Sequence, residues 1–220
     1  MQLTQILMVV TNGHTMDNGH HAGIWLSEFA EPYEALKANG YEITVASPNG
    51  TDSPIDKNSL GEEGIPSSWK EIADQLTKTV PLADVNSNNY SGIFLPGGHG
   101  TMFDFPDDEN LKRLLQEFAE ADKVIGAVCH GPAGLVNAEL KDGTPLVQGK
   151  TVTSFTDSEE RGVELEDQVP FMLETKLKER GASFVVADDW AEHVQTDGKL
   201  VTGQNPQSSI RVAEEFMKAL

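Results

Sequence analysis

The chain has 220 residues, 35 acidic against 16 basic side chains for a formal net charge of −19, and a single cysteine. That length suits one domain with a substantial core. The acidity argues against nucleic acid or anionic membrane as a partner, since both need a positive face, and one cysteine excludes an intrachain disulfide or a thiol-only metal site.

No apolar run reaches the roughly 18 residues that a membrane span needs. The start, Met1-Gln2-Leu3-Thr4-Gln5, lacks the basic region of a signal peptide, so a cytoplasmic protein is expected. The acidic residues are spread along the chain and read as a solvated surface.

In chain order, Gln5 to Val10 is a continuous apolar run, the pattern of a strand covered on both faces. Thr11 to Ala22 reads as a polar loop carrying His14, His20 and His21. Ile24 to Phe29 is apolar around one acid, Glu28, and a helix is expected from Pro32 to a stop at Gly40. Tyr41 to Ala46 is a second strand. Asp52 to Ser68, rich in Pro, Gly, Ser and acids, is a loop, and Trp69 to Leu76 is a short helix.

Ile93 to Pro96 is a third strand, closed by Gly97-Gly98-His99-Gly100. Asp107 to Ala121 is an amphipathic helix, with Leu111, Leu114, Leu115 and Phe118 at helical spacing. Val124 to Val128 is a buried strand that runs into Cys129-His130-Gly131-Pro132, with a helix expected after Gly131. Further strands are expected at Thr151 to Phe155 and Phe184 to Val186, with a helix from Pro170 to Gly181 between them. Asp197-Gly198 marks a hairpin, and Asn205 to Leu220 is a closing helix. Alternating strands and helices imply an α/β fold with a mostly parallel sheet, whose ligands lie beyond the carboxyl ends of the strands. No repeat or linker divides residues 1–220, so a single domain is expected.

Strand, cysteine, glycine and then helix is the layout of a nucleophile elbow, in which a tight turn exposes the reactive atom. A buried cysteine that merely packs as a small hydrophobe is the plain alternative, but the polar His130 and the conformationally permissive Gly131 favour the elbow. A thiol acts as thiolate, which a helix start and a nearby base promote. His130 would need an acid from elsewhere to orient it, and Asp157 with Glu159-Glu160 is an acid cluster at a strand end.

Gly97-Gly98 suits the presentation of bare N–H groups, which with the N–H of His130 would form an oxyanion hole; taken alone, that stretch reads rather as a plain tight turn. Glu28 reads either as a surface acid on an amphipathic helix or as a buried acid with a raised pKa that shares a proton with the thiol. His14, His20 and His21 lack the spacing typical of a metal site, and no metal is expected.

Together these stretches resemble the ThiJ/PfpI superfamily, related to class I glutamine amidotransferases, and within it the cofactor-free glyoxalase III branch, whose members are often also described as chaperones. The resemblance rests on Gly23 to Tyr33 around Glu28, Pro96 to Gly100, Ala127 to Pro132, Phe155-Thr156-Asp157 and Leu200 to Pro206, five motifs in order over nearly the whole chain. Ala127 stands where the general elbow has glycine.

The resemblance implies one flavodoxin-like three-layer sandwich over residues 1–220. In it Cys129 is the nucleophile, Glu28 is hydrogen-bonded to the sulfur, and His130 is oriented by Glu160 or Asp157, with Glu160 favoured. Gly97, Gly98 and His99 would form the oxyanion and substrate-binding turn. The implied activity is glutathione-independent conversion of methylglyoxal or another 2-oxoaldehyde to a 2-hydroxy acid such as D-lactate, by a homodimer that needs no metal, nucleotide or other cofactor. Protein deglycase, holdase chaperone or redox sensor, and cysteine peptidase are the alternatives.

Overall fold

A computed structural model describes residues 4–220; Met1 to Leu3, part of the stretch read for a signal peptide, lie outside it. The strand Gln5–Val9 sets the architecture, because its side chains alternate between two faces that are both buried. Leu7 and Val9 join one apolar cluster with Leu111, Leu114, Leu115 and Phe118 of the helix Glu109–Glu120. Ile6 and Met8 join a second cluster with Phe29 and Leu36 of the helix Leu26–Ala38 and Val212 and Phe216 of the helix Ser209–Ala219. A sheet with helices on each face is the three-layer, flavodoxin-like arrangement.

The central sheet has seven strands, in the order Val194–Asp197, Leu200–Gly203, Val124–Val128, Gly92–Leu95, Gln5–Val9, Glu42–Ser47 and Val80–Pro81. All neighbours are parallel except the Val194–Asp197 and Leu200–Gly203 hairpin. The carboxyl ends of Gly92–Leu95 and Val124–Val128 lie side by side, with Leu95 opposite Ala127, which brings the Gly97-Gly98 turn to the elbow. Among the described residues no helix is long and apolar enough to cross a membrane.

Several elements differ from the sequence expectation for physical reasons. The first helix begins at Leu26, and Pro32 lies inside it. Leu26, Phe29, Ala30 and Leu36 are buried at helical spacing, and that burial offsets the lost hydrogen bond of an interior proline. Glu28 therefore stands in the first helical turn. After the elbow the chain makes only a short 3-10 helix, Gly131–Leu135. At Gly131 a Cβ would lie 2.1 Å from the carbonyl oxygen of Leu95, so the chain here presses directly on the neighbouring strand end.

The expected strands at Thr151 to Phe155 and Phe184 to Val186 shrink to a separate two-stranded pair, Thr151–Val152 and Ser183–Phe184. The Thr153 N–H donates instead to the Thr202 hydroxyl, and the Phe155 N–H to the carbonyl of Cys129. The Pro170 helix is confined to Leu173–Glu179, and the closing helix Ser209–Ala219 is preceded by a 3-10 turn at Pro206–Ser208. Within the Thr11 to Ala22 loop, His14–Thr15 pairs with His21–Ala22 as a small ribbon.

Candidate active site

Val124–Val128 is buried throughout, and Cys129 follows it with a φ of +59°. A non-glycine residue in the left-handed region costs about 1–3 kcal/mol and persists only where its surroundings fix it. Here the Cys129 N–H donates to the Gly203 carbonyl at 2.9 Å, and its own carbonyl accepts from Phe155 at 2.8 Å. The chain is thus clamped on both sides of the turn that carries the thiol, which is 3 % exposed.

His130 turns its Nδ1 to 3.4 Å from the Cys129 sulfur, while its Nε2 lies 2.6 Å from Glu160 Oε2. The other oxygen of Glu160 lies 2.7 Å from His99 Nε2. One carboxylate therefore serves two imidazoles. Burial alone would raise the Glu160 pKa, but the interactions with His130 and His99 overcome it and hold the carboxyl well below the ordinary range. An anionic Glu160 accepts from both Nε2–H groups, which leaves the Nδ1 of His130 as a lone pair facing the thiol. Burial, and then the neighbouring His99, lower the His130 pKa against the pull of Glu160, so the neutral imidazole is favoured.

Glu28 completes the other flank. Its Oε2 accepts from the Gly97 N–H at 2.8 Å, and its Oε1 is buried without a nitrogen or oxygen partner. Burial raises its pKa to about 8, against the lowering influence of a hydrogen bond to Cys129 and of the Gly97 amide. The Cys129 thiol is itself pushed up, first by burial and then by the Glu28 charge beside it. Acid and thiol thus behave as one pair that gives up its protons stepwise. Gly97 is required where it stands: a Cβ there would lie 2.5 Å from Glu28 Oε2 and 2.7 Å from the His130 nitrogen.

Three sequence expectations need correction. Asp157 does not reach the histidine; its carboxylate accepts from the Thr175 hydroxyl and lies on the far end of the same short helix, Asp157–Gly162. Asp157 and Glu160 lie one turn apart along that helix, and it is Glu160 that stands level with His130. The Gly97 N–H is not free for an oxyanion, because Glu28 occupies it. His99 is not a free substrate-binding group, because Glu160 holds its ring nitrogen.

The three histidines of the Thr11 to Ala22 loop do not converge. His14 stacks on Phe103 at 4.0 Å, His20 Nε2 lies 2.9 Å from Asp56, and His21 Nδ1 lies 2.8 Å from the Thr15 hydroxyl. Among the described residues the metal-capable group that does converge is His99, His130 and Glu160, whose ligand atoms fall within 4.8 Å of one another and are engaged with each other.

Three supporting roles had no assignment from the sequence. The Thr101 hydroxyl, positioned to donate to the carbonyls of both Gly98 and His130 at 2.9 Å, ties the glycine turn to the elbow. Glu159 closes a capping box with Thr156, a Thr-x-x-Glu spacing that was open to view. Phe155 packs on the His130 ring at 4.4 Å, a contact with no local signature.

A model of the DJ-1/PfpI family matches residues 22–219. Glyoxalase 3 of Candida albicans is 31 % identical, over 99 % of this chain and 98 % of that protein. A glutathione-independent glyoxalase of Saccharomyces cerevisiae is 30 % identical, over 98 % of each. The crystal structure of glyoxalase III from Candida albicans superposes with a TM-score of 0.89 at 29 % identity, covering 99 % of this chain and 97 % of the other.

Proposed function

Starting from the premise that the chain belongs to the DJ-1/PfpI family, we propose that it is a glutathione-independent glyoxalase that converts methylglyoxal or a related 2-oxoaldehyde to a 2-hydroxy acid. The observation that carries this reading is the single thiol beside the buried Glu28 carboxyl on one flank and, on the other, the His130 Nδ1 at 3.4 Å, whose ring Glu160 holds from behind. In a glutathione-dependent reaction the thiol arrives with the cosubstrate. Here the protein supplies it.

In the first step the Cys129 sulfur bonds to the aldehyde carbon. The carbonyl π pair moves to oxygen, which takes a proton from the Glu28–Cys129 pair and gives a hemithioacetal. Gly98 and His130 supply the backbone N–H groups for the developing oxyanion, since Glu28 holds the amide of Gly97. Next a base removes the proton on the former aldehyde carbon and the neighbouring ketone oxygen is protonated, forming an enediol. The neutral Nδ1 of His130, backed by Glu160, and the Glu28 carboxylate are the groups in reach of the sulfur. The second carbon then takes a proton while the hydroxyl on the first gives its own to the base, which leaves a 2-hydroxyacyl thioester on Cys129. Water then attacks the acyl carbon, the C–S bond breaks, and the hydroxy acid leaves with the thiol regenerated. With methylglyoxal the product is lactate, and the D form is proposed by analogy with the family. The same analogy makes the protein a single-domain, cytoplasmic homodimer.

Lactate formation from methylglyoxal without glutathione tests this. Wild type should turn over, and Cys129→Ala should lose at least about a thousandfold in rate, as expected when a covalent nucleophile is removed. Full activity in Cys129→Ala would overturn the scheme.

A further inference from the structure

The aromatic run that begins at the imidazoles does not end in the core. The rings of His99 and His130 lie 4.0 Å apart, His130 and Phe155 4.4 Å, and Phe155 and Trp190 5.6 Å in an edge-to-face arrangement. The first three rings are buried. Trp190 is 42 % exposed, one of few large apolar side chains left in solvent.

The backbone of Trp190 has a φ of +65°, an outlier for so bulky a residue. It is held there by a buried charge: the Trp190 N–H donates to Glu159 Oε1 at 2.8 Å. The same oxygen accepts from Asn205 Nδ2 at 2.8 Å and Gln204 Nε2 at 3.2 Å, and Oε2 accepts from the N–H and hydroxyl of Thr156. A fully buried carboxylate with five donors is a rigid anchor, and it sits one residue from the Glu160 that holds His130. The indole thus stands at the solvent end of the ring stack, one ring beyond the Phe155 that packs on His130, and is fixed through its own backbone, while Cys129, His130 and Glu28 are almost fully buried. Strain over-determined in this way, at the end of a ring stack that begins on the catalytic imidazole, points to a task.

We infer that Trp190 is a specificity-determining residue whose indole forms the solvent-side wall beside the Cys129–His130 pair and receives an aromatic substituent on the 2-oxoaldehyde. The wall rests on the glyoxalase reading for its substrate class and on the geometry alone for its preference. An edge or offset contact between two aromatic rings favours phenylglyoxal over methylglyoxal by about threefold to tenfold.

The test compares kcat/KM for phenylglyoxal and methylglyoxal in wild type, Trp190→Phe and Trp190→Ala. In parallel, mandelate and lactate, the two product acids, are titrated calorimetrically into Cys129→Ala with and without Trp190→Ala. Trp190→Ala should lower phenylglyoxal kcat/KM by about threefold to tenfold through KM and leave methylglyoxal within about twofold, while Trp190→Phe keeps most of the preference. Mandelate should bind tighter than lactate by a similar factor, and Trp190→Ala should erase the difference. Equal losses for both aldehydes, no loss for either, or a mandelate preference that survives Trp190→Ala would overturn the assignment. Should Trp190→Ala fail to fold, Trp190→Leu carries the same comparison. A wild type that turns over neither aldehyde but prefers mandelate through Trp190 would sink the glyoxalase reading and leave the wall standing. Turnover of both aldehydes without any effect of Trp190 would do the reverse.

Discussion

Glu28 and Glu160 reach the Cys129–His130 pair from two different helices, and both are removed from solvent, at 0 % and 2 % exposure. Burial of that depth should raise both pKa values alike. Yet Glu28 is raised to about 8 while Glu160 is held below the ordinary range. The difference lies in what each carboxyl faces. Glu28 has one amide donor and a thiol that is itself reluctant to ionise; Glu160 has two imidazole N–H groups, one on each oxygen. Two like groups are pushed apart by their partners into a proton holder and a fixed anion, which divides the acid and base work of one site between them.

The largest effect expected from breaking this contrast is on the Glu28 side. Glu28→Gln removes the proton shuttle while preserving shape and the acceptor for Gly97, and should cut kcat by about a hundredfold to ten-thousandfold in the methylglyoxal assay. Stability should separate the two acids by the sign of its pH dependence. Because the folded pKa of Glu28 lies above its ordinary 4.5, the unfolded chain releases that proton first, so stability falls as pH rises from about 4.5 to about 8. Thermal melts across that range should show wild type losing stability relative to Glu28→Gln. Glu160 acts in the opposite sense: its contribution is present above the ordinary carboxylate pKa and is lost as pH falls through the folded value.

Next in size is Glu160→Gln. It leaves an imidazole without its acceptor and frees the His130 tautomer, with an expected loss of about 1–3 kcal/mol in denaturant unfolding together with reduced kcat. Gly97→Ala forces a methyl into the 2.5 Å gap beside Glu28. It should lower stability by about 1–3 kcal/mol, read from the same unfolding curves, and shift the pH profile of kcat by displacing the acid. The smallest effect belongs to Asp157→Asn, which touches Thr175 rather than His130. Its kcat/KM should stay within about twofold of wild type, a change of less than 0.5 kcal/mol typical of sites away from the chemistry.

How far the sequence carried this picture follows from the range of each interaction. The parallel sheet was legible in the apolar runs Gln5 to Val10 and Val124 to Val128, since burial on both faces leaves a local signature. Cys129-His130 was legible for the same reason, a strand running straight into a reactive pair. The start of the first helix was not, because Pro32 is a strong local signal that the packing of Leu26 and Phe29 overrides. Whether Asp157 or Glu160 meets His130 depended on which of two acids one helical turn apart stands level with the imidazole, a placement that tertiary packing sets. The engagement of Gly97 by Glu28, and the sharing of Glu160 by His99 and His130, join residues 30 to 69 positions apart and have no local trace.

The division of labour between the two glutamates is tested most directly by infrared difference spectroscopy at about pH 6, between the ordinary glutamate pKa and the raised one. Buried Asp104, its pKa raised to about 7, contributes its own neutral-acid absorption at this pH, so the account requires a further protonated-carboxyl C=O component in wild type that disappears in Glu28→Gln and persists in Glu160→Gln, where only carboxylate absorption is lost. A neutral-acid band that vanishes with Glu160 and survives the loss of Glu28 would contradict it.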